Sequence, residues 1–337
     1  MTIICALLVF CLLIFTHEFG HFIVAKAVGV KVNEFSLGMG PALFSRQKGE
    51  TLYSLRLLPI GGYCAMEGED EESDDARAFN KKPAWAKIAV IFAGPFMNVV
   101  TAVIVMTIIV ISLGVATCEL DTVDEGGPAW NAGVRPGDVV TAMDGQPIEH
   151  WNDIRVIATD HKSDDVSLTV ERDGREMTFE MKAERAEDGR SVVGINPVLS
   201  RNPVKALGYG AKACWNMLTS MVDILHSLFN GEVPVSDLSG PVGVVYAVNT
   251  TIKHGAVYLG YLTALISLNL ALVNLLPFPA LDGGRIVFVI IRLFTGRVIT
   301  DAIEAKVHFA GIILLFALMI YVTWQDIVRF IVPIVGG

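Results

Sequence analysis

Residues 15–21 read FTHEFGH (Phe15–His21), and they close an apolar run, MTIICALLVFCLLIF, with the composition of a bilayer span. Two histidines and a glutamate stand where hydrocarbon is expected. A charged group at the centre of a transmembrane helix costs roughly 2.5–3.5 kcal/mol on insertion scales, so ionisable groups inside a span mark function. His17 and His21, four residues apart, project from one face of a helix and can share one metal ion, with Glu18 beside them. Neutral imidazole suits Zn²⁺, and an adjacent carboxylate can take a proton from the attacking water. In a soluble protein the same pattern also occurs by chance; in a span, three unpaired polar groups have no structural use.

The composition agrees with a span. The chain has 337 residues, 53% hydrophobic and 18% charged, which describes a membrane protein with soluble mass attached. Four runs, Thr2–Val28, Ile88–Ala116, Val257–Leu276 and His308–Phe330, reach the roughly 20 residues that cross a hydrocarbon core. The first reads as a retained span and not a signal peptide, because it has no basic n-region and no small-residue cleavage site. Cys5, Cys11, Cys64, Cys118 and Cys214 form no CxxC pair, so neither a disulfide framework nor a thiolate metal site is indicated. Part of the net charge of −9 sits in EGEDEESDD (Glu67–Asp75), a solvated loop, and nothing suggests nucleic-acid binding.

Basic residues set the expected orientation. Lys31, Arg46, Lys48, Arg56, Arg77, Lys81, Lys82 and Lys87 lie between spans one and two; Arg285, Arg292, Arg297 and Lys306 lie between spans three and four. The positive-inside rule makes both loops cytoplasmic, placing both termini and the long second loop outside.

Within that outer loop, DEGGPAWNAGVRPGDVVTAMDGQPIEHWNDI (Asp124–Ile154) and the alternating DVSLTVERDGREMTFEMK (Asp165–Lys182) read as strand, short helix, strand, helix and a hairpin turning at Asp173-Gly174. The stretch Leu120–Ala186 resembles a PDZ domain, on the strength of PAWNAGVRPGDVVTAMDG. PDZ domains bind peptides by adding a strand to an exposed edge; a small β domain without a peptide groove is the competing reading. Val204, Leu207, Ala211, Trp215, Leu218, Val222, Leu225 and Phe229 then recur at helical spacing opposite Lys205, Lys212, Asn216, Asp223 and His226. That pattern is an amphipathic helix, lying on the outer membrane surface or packed against the PDZ-like part or the spans.

A catalytic zinc wants a third protein ligand and an open position. NLLPFPALDGG (Asn274–Gly284) follows the third span, and Pro277 and Pro279 break the helix, freeing backbone groups that a membrane tolerates only where protein or a cavity surrounds them. Asp282 is the carboxylate in that break; an ordinary turn residue before Gly283-Gly284 is the other reading. Depth favours pairing the motifs. His17 lies roughly 22 Å along a helix entered from outside, toward the cytoplasmic side, and span three ends near the same level.

HEFGH, AGPFMN (Ala93–Asn98), the PDZ-like insertion, SGPVG (Ser239–Gly243) and NLLPFPALDGG occur in the order seen in bacterial site-2 proteases of the RseP/RasP type, and the chain resembles that family over essentially its whole length. The resemblance implies zinc-dependent intramembrane proteolysis of single-pass membrane proteins, such as anti-sigma factors or signal-peptide remnants, in a bacterial inner membrane. It implies His17, His21 and Asp282 as ligands, Glu18 as general base, and Asn274, with Pro277 and Pro279, at the substrate. Some relatives carry two PDZ domains, whereas this chain has room for one. TLYSLRLLPIGGYCAMEG (Thr51–Gly68) alternates like a strand up to Gly61-Gly62; by family analogy it belongs to a membrane-associated β-sheet whose edge could hold an unwound substrate, a purely structural hairpin being the alternative. Gly94 and Pro95 are assigned to helix packing or a kink, and Asn98 to a bond across helices.

The expected fold is therefore a polytopic α-helical membrane protein of about four transmembrane helices, with one inserted extracytoplasmic PDZ (α+β) domain and a small membrane-associated β-sheet. Its parts are residues 1–116 with two spans and a cytoplasmic β-hairpin loop, 117–190 the PDZ domain, 191–255 the surface helix and linker, and 256–337 the last two spans. Expected partners are the lipid bilayer, single-pass substrates and peptide segments at the PDZ domain. A non-catalytic, PDZ-bearing membrane chaperone or scaffold is the alternative, and it leaves Glu18 without a task.

Overall fold

The computed structural model describes residues 2–69, 71, 73–160, 163–185, 191–232, 234, 239–295 and 301–331. Its contacts divide the chain into one unit of residues 1–109 with 210–337 and a second of residues 110–209.

In the first unit, α1 (Thr2–Ala27) carries the histidine motif. Phe15, Phe19 and Phe22 follow the i, i+4, i+7 rule and, at 100° per residue, leave α1 on the side away from His17 and His21. They pack around Phe35, with ring centroids 5.8, 6.4 and 5.0 Å away. Phe35 belongs to β1 (Val32–Lys48), which pairs with β2 (Thr51–Met66). Both strands bend, so residues 34–37 pair with 52–55 on one side and with 62–65 on the other, and Lys48 returns to Thr51 across a two-residue turn. The result is a four-rung sheet with 62–66 at one edge and 42–48 at the other. The strand expected to end at Gly61-Gly62 runs on to Met66, because Gly61, at φ 85°, turns the chain without ending the ladder.

α2 (Ala84–Leu113) contains Pro95, and α7 (Ala256–Asn274), α8 (Asp282–Thr295) and α9 (Asp301–Asp326) complete the long helices. Four segments, Thr2–Ala27, Ala84–Leu113, Ala256–Asn274 and Ile303–Phe330, are long and apolar enough to cross a membrane, each overlapping one of the four runs read from the sequence.

Two further helices follow, one packed on the apolar helices as one of the expected alternatives had it, the other not foreseen. α5 (Pro203–Phe229) packs against α2 and α7: Cys214 is buried with Ala102, Met106, Ile109, Ala264 and Leu268, and Ala213, Met217, Leu218 and Met221 cover that cluster. The inward face is rotated from the one the apolar periodicity marks: Leu218 belongs to both, but Val204, Leu207, Trp215 and Val222 are exposed. Small residues decide it: Gly210 comes so close to Thr107 that a Cβ would lie 2.8 Å from its Oγ1. α6 (Pro241–Ile252), a separate helix inside what was taken as linker, lies against α1 and α9. Thr2 Oγ1 donates to Asn249 Oδ1 at 2.8 Å, and the buried Asp326 carboxylate accepts the Gly240 and Gly243 N–H groups at 2.9 and 2.7 Å, satisfying donors that a helix start leaves open.

The second unit is a mixed domain. Its sheet, in the order β10-β3-β4-β6-β7, comprises β3 (Val115–Val123), β4 (Val139–Met143), β6 (Asp165–Arg172), β7 (Arg175–Lys182) and β10 (Ile195–Ser200), with the short β5 (Gln146–Pro147) on β4. α3 (Pro128–Ala132) and α4 (Trp151–Asp160) accompany it, and β8 (Glu184–Arg185) pairs with β9 (Ser191–Val192). Leu120, Val134, Val140, Met143, Val166, Leu168 and Val170 fill its core. The 117–190 bounds stop short of it, because β10 lies beyond residue 190 and pairs with β3. Asp173 and Gly174, at φ 49° and 73°, make the expected turn between β6 and β7. The Pro-Gly-Asp signature has a packing role: Asp138, 1% exposed, takes two bonds from Arg172 at 2.6 and 2.7 Å and one from the Arg135 N–H.

Candidate metal centre

Helical spacing puts His17 and His21 one above the other on α1, both buried, with their Nε2 atoms 3.2 Å apart. The third group arrives from 261 residues further along the chain. Asp282 opens α8, and its Oδ2 lies 3.2 Å from His17 Nε2 and 3.6 Å from His21 Nε2. That oxygen is buried yet has no hydrogen-bonding geometry to any donor. Ligands about 2.0–2.1 Å from a tetrahedral zinc stand about 3.3–3.4 Å from one another, so the three separations fit a shared ion better than a hydrogen-bonded cluster. Among the described residues, this is the one group of three or more His, Cys, Asp or Glu side chains close enough to hold a metal.

α2 prepares the imidazoles. His21 Nδ1 donates to the Val90 carbonyl at 2.9 Å, which fixes the tautomer and leaves Nε2 with its lone pair. Asn98, fully buried, places its side-chain amide 3.2 Å from His17 Nδ1. The atom facing that nitrogen is Nδ2, while Asn98 Oδ1 accepts from Thr16 Oγ1 at 3.3 Å, so the amide links two neighbouring residues of α1 to α2. The Asn98 backbone is held in turn by Ser267 Oγ of α7 at 2.7 Å. Glycines let the helices meet: a Cβ on Gly20 would overlap the Ala93 carbonyl, and one on Gly94 would overlap the His21 ring and lie 2.9 Å from His17 Cε1. AGPFMN is therefore part of the site as well as of the packing. The sequence assigned Asn98 a bond across helices but not its partner, which is 81 residues away, and the Val90 contact is made by a carbonyl that no side-chain pattern marks.

Glu18 points from the next position of α1 toward the sheet, where a Cβ on Gly62 would come within 3.5 Å of Glu18 Cγ. The 62–66 edge thus borders the site, and Gly62 leaves room beside the carboxylate. Gly61 makes the turn into that edge, packed on Met39.

Asn274 is the last residue of α7, and Pro277 and Pro279 lie in the connection to α8. This connection is tightly folded: a Cβ on Gly283 would overlap the Leu275 and Leu276 carbonyls, and one on Gly284 the Phe278 carbonyl. Ala280 sits at φ 78°, a left-handed conformation that costs an alanine roughly 1–2 kcal/mol. Arg285, one turn into α8, pairs with Glu69 beyond β2 and ties the helix that carries Asp282 to the segment after the sheet.

A profile of Peptidase family M50 matches residues 5–318, and the chain belongs to that family. A Clostridium perfringens protein, named as a candidate zinc metalloprotease, is 39% identical over 333 residues, covering 97% of this chain and 99% of that one. The zinc metalloprotease RasP of Bacillus licheniformis is 30% identical over 415 positions (97% and 99% covered), and the regulator of sigma-W protease RasP of Bacillus subtilis 29% identical over 415 (97% and 98%). Among solved structures, the PDZ domain of an SdrC-like protein from Listeria innocua aligns with 25% of this chain and 92% of its own, at 24% identity and a TM-score of 0.22.

Proposed function

We propose that this M50 peptidase is a zinc-dependent intramembrane endopeptidase that cuts single-pass membrane proteins within or beside their spans. The observation that carries the reading is the convergence of His17 Nε2, His21 Nε2 and Asp282 Oδ2 from two distant helices, with His21 held in its metal-binding tautomer. Zinc bound there would act as a Lewis acid toward the scissile carbonyl and make water a nucleophile near neutral pH. The other steps belong to the chain. Glu18 takes the proton of the attacking water and returns it to the departing nitrogen, so that the amide leaves as an amine. A helical peptide bond has its carbonyl engaged, so the substrate must unwind first. The 62–66 edge, paired only with 32–37 among the described residues, offers an extended segment a ladder of hydrogen bonds next to Glu18.

In this reading the four apolar helices cross a bacterial plasma membrane, with Glu18 toward the cytoplasmic side and both termini outside. The second unit is an extracytoplasmic PDZ domain that receives peptide or protein segments, its β10 edge being the place where a strand can add. Asn274, Pro277 and Pro279 contribute to holding the substrate. Anti-sigma factors and signal-peptide remnants are the substrates proposed; the name of the Bacillus subtilis relative, regulator of sigma-W protease, agrees with the first.

Glu18→Gln tests the reading. The amide keeps the shape of the side chain but cannot take a proton, so bound zinc should be retained while cleavage falls at least about 10²–10⁴-fold. Cleavage within threefold of the unaltered protein would remove Glu18 from the mechanism. It would also favour a scaffold whose metal serves structure.

A further inference from the structure

His308 lies on α9, outside every motif that marks the site, yet it touches the connection that carries Asp282. Its Nδ1 accepts the Ala280 N–H at 2.7 Å. The ring is 14% exposed, stands 5.3 Å from the Phe288 ring of α8, and has Nε2 3.6 Å from Glu304 Oε1, one turn earlier on the same helix. A ring that accepts at Nδ1 carries its proton at Nε2, facing that carboxylate. One turn later on α9, Gly311 comes so near Pro279 that a Cβ would lie 2.6 Å from the proline Cβ. α9 therefore grips residues 279 and 280 at two points, just before the ligand.

We propose that His308 is a positioning residue of the metal centre, acting through the left-handed backbone of Ala280. This rests on the reading of Asp282 as a zinc ligand and adds what keeps it in place. Non-glycine residues persist at positive φ only where their surroundings over-determine them. Of the three among the described residues, Asp144 and Asp173 lie in tight turns and are of a type that tolerates the region, whereas Ala280 does not belong to such a type. Reversal of the chain at Ala280 lets Leu281 close on the Phe278 carbonyl at 3.2 Å and brings Asp282 round to the histidines. Without an acceptor at the position of His308 Nδ1, the Ala280 N–H is stranded and the left-handed turn loses its restraint. The carboxylate then no longer meets both imidazoles.

The test measures zinc affinity by chelator competition on the full-length protein in one detergent, alongside cleavage and melting. His308→Phe keeps the ring packing on Phe288 and removes the acceptor; zinc affinity is expected to fall about 10–100-fold, as when a partner of a metal ligand is lost. His308→Asn puts an amide oxygen near the position of Nδ1, and should bind zinc within about threefold of the unaltered protein on the same scale. Ala280→Gly, which removes the strain, should recover much of the loss when combined with His308→Phe. The inference is overturned if His308→Phe binds zinc as tightly as the unaltered protein, or if the phenylalanine and asparagine variants lose affinity equally, which would indicate ring packing alone. Failure of the unaltered protein to bind zinc would instead count against the metal centre itself, a result this series separates from the first.

Discussion

At the scale of single residues, the candidate site is a problem of bringing two imidazoles and a carboxylate together among apolar helices. HEFGH was legible because helix geometry alone aligns positions i and i+4. Asp282 was legible as a candidate because two prolines break a span beside it, and its pairing with the histidines, a long-range contact, was favoured by the depth count and implied by the family resemblance. Asn98 and the Val90 carbonyl were not legible as histidine partners: one carries no side-chain signal and the other looks like any polar residue bonding across helices. Two outcomes follow here. Asp282→Asn should weaken zinc binding and abolish cleavage together, since a neutral amide oxygen is a poorer ligand, whereas the turn reading expects a silent change, Asn suiting that position equally. Full zinc occupancy with normal cleavage would end the ligand assignment. Gly94→Ala places a methyl group onto the His21 ring, and zinc affinity should drop by about tenfold or more while α2 remains helical. Unchanged affinity would mean that the α1–α2 contact is looser than described.

Among the elements, the sheet and α5 show where sequence pattern succeeds and where it stops. Alternation in Thr51–Gly68 marked a strand, but the double pairing of residues 34–37 depends on bends at Gly38 and Gly61 that no periodicity announces. In α5, hydrophobicity marked one face, while the fit of Gly210 and Cys214 against α2 selected another; close packing between apolar helices follows side-chain size more than polarity. α6 passed for linker because twelve residues are too few for a span and its capping carboxylate, Asp326, comes from the far end of α9. The edge at 62–66 carries its own prediction. In Gly62→Val the side chain meets the Ser36 carbonyl and Glu18, closing the space an extended substrate would occupy, so kcat/KM should fall by at least about tenfold with zinc content unchanged. A variant that cleaves normally would move substrate binding to another edge.

For the whole molecule, four apolar helices and the basic residues between them predict a topology. Reporter fusions after residue 75 and after residue 190 are expected on opposite sides of the membrane, the first cytoplasmic; both on one side would break the four-span arrangement. Family membership and the PDZ-like pattern of the second unit were open to sequence reading because motif order survives where single motifs are ambiguous, although the sheet's last strand fell outside the expected bounds. The central claim, that bound metal lets this chain cut inside a membrane, is tested by one reconstitution. The purified protein and a single-pass substrate are placed in the same vesicles, zinc is stripped with a chelator and then returned, and the product ends are located by mass spectrometry. Cleavage should stop on stripping, return with about one zinc per chain, as a single three-ligand site requires, and fall within or beside the substrate's apolar segment. Cleavage that persists without metal, or cuts confined to the substrate's soluble regions, would contradict it.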